Sequence, residues 1–158
     1  MRPNWYSFMR YKKFDIAVIQ MDEAVRQFLD HKNNIAAVTL AGAAEEIFGS
    51  ALKNAGKQTA LGRLMDYWNS QDHLPRYEPA GFANLLNRTR NALKHDNHGG
   101  EAEVEVGPAD AIMMLGRAIG MHGVLVDDPT EQARRWVRWF HQHAQDFEKD
   151  FFDPTAEE

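Results

Sequence analysis

The sequence predicts an all-α protein, an up-and-down bundle of about five to six helices. Two observations carry the all-α part. Apolar residues recur at three- and four-residue spacing through almost every segment, and the breakers Gly56, Pro75, Pro79, Gly99-Gly100 and Gly107-Pro108 fall between these segments. The one alternation of apolar and polar residues, Val104 and Val106 between glutamates, is long enough only for a short extended piece near 103–106.

Residues 1–14 read as an N-terminal arm. Trp5, Tyr6, Phe8, Tyr11 and Phe14 are interleaved there with Arg10, Lys12 and Lys13. Such a mixture either pins the arm to the core or a partner through its aromatics, or stacks bases along a nucleic-acid backbone. A single helical domain over 15–152 follows. Its first helix is expected from a cap at Asp15 to Asp30, with Ala17, Met21, Ala24, Val25 and Phe28 inward. Asn33 or Asn34 caps the second, which runs to Asn54 and stops before Gly56.

That second helix carries two stripes. Ala37, Leu40, Ala41, Ala44, Ile47, Phe48 and Ala51 form the apolar one; Thr39, Gly42, Glu46, Gly49 and Ser50 form the other. Glycine inside a helix costs up to about 1 kcal/mol against alanine, so Gly42 and Gly49 point to the close approach of another backbone, from this chain or from a second copy. Glu45 and Glu46 lie ~100° apart around the helix, which suits solvation or salt bridges better than paired acid–base work.

A third helix is expected from Ala60 to Ser70, with Leu61, Leu64, Met65 and Trp68 inward, then a loop holding Pro75 and Pro79. A fourth begins near Ala80 and stops before Gly99-Gly100, with Phe82, Leu85, Leu86, Thr89 and Leu93 as its buried stripe. Asp96 to Gly100 is turn chemistry. Pro108 opens a fifth helix through Gly123, with Ile112, Leu115, Gly116 and Ile119 on one face. Asp127 or Asp128 opens the last, whose stripe is Ala133, Trp136, Val137, Phe140, Ala144, Phe147 and Phe151. Residues 153–158 read as a frayed tail.

Composition narrows the function. A net charge of −5 disfavours a generally adhesive nucleic-acid binder, although Arg10 to Lys13, Arg88 to Lys94 and Arg134 to Arg138 concentrate the positive charge locally. With no cysteine there is no disulfide, thiolate metal site or cysteine nucleophile. No run approaches the ~18 apolar residues of a membrane span, and the first residues lack the apolar region of a secretory signal, so a cytoplasmic protein without membrane contact is expected. Seven histidines offer no metal frame: His141 and His143 sit two apart, and no His-Glu-x-x-His occurs. No metal and no cofactor are expected.

The cationic stretch at the end of the fourth helix carries the candidate chemistry. Arg88, Arg90, Asn91, Lys94 and His95 fall off the buried stripe there, with only Asp96 against them, and would suit a phosphate or another anion. Arg90-Asn91-Ala92-Leu93-Lys94-His95, together with the upstream small-residue stretch Leu40 to Phe48, resembles the HEPN superfamily. Its ribonuclease members share an Arg, four to six residues and a His in an all-α domain, often with Asn directly after the Arg.

The resemblance covers about 15–150. It implies a homodimer whose two helix ends line a shared cleft, and in active members a metal-independent endoribonuclease, such as the toxin half of a pair with a nucleotidyltransferase-like antitoxin. Arg90, Asn91 and His95 would then be catalytic, with Arg88, Lys94 and His98 holding flanking phosphates of RNA. Residues five apart on a helix point ~140° from each other, so convergence requires His95 to lie where the helix unwinds, or the second copy to contribute. A non-catalytic HEPN-like module binding a nucleotide, RNA or protein, and a purely structural helical dimer, are the alternatives.

Overall fold

The computed structural model describes residues 1, 4–95 and 103–152, the side chains of 147–152 excepted. It is an all-α bundle: α1 (Lys13–Leu29), α2 (Asn34–Asn54), α3 (Ala60–Asn69), α4 (Pro79–Leu86), α5 (Arg88–Lys94), α6 (Pro108–Leu125) and α7 (Glu131–Phe152). No strand occurs among the described residues, and 103–106 carry no regular structure. The expected turn at 96–100 and the tail at 153–158 lie outside the described residues.

The centre of the bundle is α2, with α1 against it on one side and α6 on another. Its ends follow local chemistry. Asn33 Oδ1 accepts a hydrogen bond from the Ala36 amide at 3.1 Å, and Gly56 takes the left-handed conformation with φ 68° just beyond the C-terminus. Met21 and Val25 of α1, Phe48 and Leu52 of α2, and Leu115 and Met121 of α6 are fully buried together. Burying one such side chain contributes about 1.5–3 kcal/mol. By length and composition α2 alone among the described residues could cross a membrane, but here its apolar face is the core of the bundle.

Several boundaries depart from expectation. The first helix starts at Lys13 with no side-chain cap, so Asp15 lies in its first turn. The last starts at Glu131, after Thr130, whose hydroxyl accepts from the Ala133 amide at 3.1 Å and also donates to Asp22 of α1 at 2.6 Å. Asp127 and Asp128 precede that cap. In α3 only Ala60 is buried; Leu61, Leu64, Met65 and Trp68 are half-covered.

The described residues of the arm before Phe14 do not pin it to this core. Trp5, Tyr6, Phe8 and Tyr11 are all more than half exposed, and only Phe14, inside α1, packs inward, edge-on to Phe48 with ring centroids 5.4 Å apart.

The expected fourth helix is two helices. Its course breaks at Asn87, whose φ of −104° and ψ of 5° leave the helical region. Arg117 of α6 meets the chain at the break: Nη1 donates to the side-chain Oδ1 of Asn87 at 2.8 Å and to the Leu86 carbonyl at 3.4 Å, the acceptor that the Arg90 amide would use in a continuous helix, while the Asn87 carbonyl still accepts from the Asn91 amide at 2.8 Å. The buried stripe suffers accordingly: Phe82 is buried, but Leu85 is half exposed.

Candidate functional site

The motif helix α5 lies across α2, and the crossing is made possible by Gly42. A Cβ at Gly42 would sit 2.6 Å from Arg90 Cδ and 2.9 Å from Cγ, so the arginine stem occupies the space a side chain would fill. The close approach predicted for the small-residue stripe is therefore made, at Gly42, within the same chain. Gly49 meets Thr59 Cγ2 at 3.8 Å from its own Cβ position.

Arg90 departs most from expectation. Predicted off the buried stripe, its side chain is only 11% exposed, and Nη1 donates to Glu45 Oε2 at 3.1 Å and lies 3.4 Å from Glu46 Oε1. Glu45 is itself buried and takes a second guanidinium, Arg117 Nη2, on Oε1 at 2.5 Å. Lys94 Nζ donates to Glu46 Oε1 at 2.9 Å. Thus Glu45 and Glu46 serve as ion-pair partners, and it is they, from another helix, that oppose the cations of α5. The Lys94 hydrogen bond holds the Glu46 carboxyl below its usual range, outweighing partial burial, with the charges of Lys94 and Arg90 adding to it.

The rest of the motif is more open. Asn91 is half-buried, with Oδ1 3.4 Å from Arg90 Nη2, so it steadies the guanidinium from within the same turn. Arg88 is exposed. His95 lies one residue beyond α5 in extended backbone, φ −125° and ψ 122°, and its side chain is exposed. The unwinding that convergence requires therefore begins at His95 itself. His98 lies outside the described residues.

Behind α5, Thr89 Oγ1 donates to Asp110 Oδ1 at 2.6 Å, while Asp110 Oδ2 accepts from the Gly107 amide at 2.9 Å, tying the motif helix to the first turn of α6. The Arg134–Arg138 group offers no comparable site: Arg134 pairs with Asp128, Arg135 with Asp30, and Arg138 Nη2 meets Glu131 Oε1 at 2.8 Å. Among the described residues no three histidine or acidic side chains gather as a metal ligand set.

Sequence reasoning missed Glu45 and Arg117 as members of this cluster. Glu45 interrupts the apolar surface of α2, which is a usable signal; Arg117 gives none, since its partners lie 30 and 72 residues away. Comparison with family models, with curated proteins and with solved structures finds no match.

Proposed function

We propose that the chain is a HEPN-like, metal-independent endoribonuclease acting as a homodimer, with the exposed end of α5 as its active centre. The observation that carries this reading is the position of His95, exposed in extended backbone directly after a helix whose Arg90 is locked by Glu45. RNA supplies its own nucleophile, the ribose 2′-hydroxyl, so a positioned imidazole that takes or returns its proton performs the demanding part of the reaction. Arg88, exposed on the same end, attracts a flanking phosphate, and Lys94 does so in exchange for its exposed partner Glu46.

In this reading Arg90 contributes through the guanidinium edge that Glu45 does not use, together with Asn91, while the ion pair fixes where that edge points. A toxin-type role beside a nucleotidyltransferase-like antitoxin belongs to the same proposal. The ion pairing of Arg90 also favours a second reading, a non-catalytic module for a nucleotide, RNA or protein, because a neutralised arginine has less to offer a developing charge.

Incubation of mixed RNA in EDTA with the native protein and with His95→Ala separates the two. Cleavage by the native protein and its loss in a folded His95→Ala variant support the ribonuclease. A folded native protein that binds RNA or a nucleotide without turnover supports the module.

A further inference from the structure

A cavity of about 580 Å³ lies beside the cluster, between α3 and α4 on one side and α2 and α6 on the other. Its volume is that of a small-molecule site. The walls are apolar: Leu64 and Trp68 of α3, Phe82 of α4 and Met113 of α6. Trp68 and Phe82 stand 6.1 Å apart at 52°, an inclined aromatic pair against which a flat ring can pack.

The polar part of the lining is specific. Arg90 and Arg117 both line the cavity, and each has a buried Nε–H with no hydrogen-bond partner among the described residues. Arg117 is 4% exposed, with its other nitrogens committed to Glu45, Asn87 and Leu86. An Nε–H only donates, so whatever meets it must accept, and a guanidinium prefers an anionic acceptor. Asp110, the acidic residue of the lining, is already occupied by Thr89 and the Gly107 amide.

We propose that this cavity binds an aromatic carboxylate, its ring between the Trp68–Phe82 pair and Met113 and its carboxylate accepting from Arg90 or Arg117 Nε. This site shares Arg90 with the proposed RNA-cleaving centre but requires none of the roles assigned to His95.

Calorimetric titration of the full chain with 2-naphthoate, and with the isosteric neutral 2-naphthamide, tests it. Saturable binding of the acid and affinity for the amide at least about tenfold weaker are expected, since a charge-assisted hydrogen bond is replaced by a neutral one. Met113→Trp fills the cavity from a half-buried position and should weaken naphthoate at least about tenfold with the melting temperature retained; Leu64→Trp is the second filler should Met113→Trp fail to fold. Absence of naphthoate binding by folded native protein, equal binding of the amide, or undiminished binding by a folded filler variant would each overturn the proposal. So would a second copy found seated in the cavity.

Discussion

Glu45 is a carboxylate set into the otherwise apolar and small-residue surface of α2, and two guanidiniums from different helices converge on it. Removing one member of such a buried set strands the others. Glu45→Ala leaves Arg90 and Arg117 without their shared partner, and we expect a loss of about 3–5 kcal/mol in urea unfolding. Gly42→Ala sets two effects against each other. Alanine in a helix interior ordinarily gains up to about 1 kcal/mol over glycine. Here its methyl would meet the Arg90 stem, whose head is held by Glu45, and overpacking of this kind costs about 1–3 kcal/mol. The clash outweighs the propensity, so Gly42→Ala should lower stability and reduce any RNA cleavage, although it changes no residue of the motif. His122 makes a separate residue-scale prediction. It is buried against Phe14 and Phe48, and burial holds its imidazole below the ordinary histidine value of about 6.5, against a smaller opposing effect of Asp22. The unfolded chain therefore takes up a proton at a pH where the folded one does not, and stability falls as pH drops from about 7 toward 5. Melting temperatures across that window should slope downward with acid for the native protein, and less steeply for His122→Leu.

At the scale of elements, α4 and α5 show how a tertiary contact overrides a local pattern. Phe82, Leu85, Leu86, Thr89 and Leu93 keep helical spacing, yet the chain breaks at Asn87, where Arg117 takes the Leu86 carbonyl and the Asn87 side-chain oxygen as acceptors. Asn87→Ala removes the 2.8 Å acceptor from a guanidinium with almost no access to water, so a loss of about 1–3 kcal/mol is expected in urea unfolding with the denaturant slope unchanged. The same contrast explains what the sequence reveals. The ends of α2 are legible because Asn33 and Gly56 act on their own neighbours. Gly42 is legible as a close approach, but not whose stem it receives. The cations of α5 are legible as residues, whereas their neutralisation by Glu45 and Glu46, 45 and 48 residues earlier, belongs to the packing of α5 on α2.

At the scale of the molecule, α2 carries the core on its apolar faces and the charged cluster where α5 crosses it. The apolar interior thus supplies the rigidity that a positioned site requires, and the cluster links α5 and α6 to that frame through one carboxylate. The exposed end of α5 then presents His95 and Arg88, with Lys94 held on Glu46, whereas the Arg134 to Arg138 group is internally paired. A ribonuclease centre at that end must activate the ribose 2′-hydroxyl. The most direct measurement is cleavage, in EDTA, of an RNA oligonucleotide against the same strand carrying a single 2′-deoxy sugar at the cleaved position. Cutting of the RNA alone, with a 2′,3′-cyclic phosphate on the upstream fragment, is the predicted result. Equal cutting of both strands, or of neither by folded protein, would contradict it.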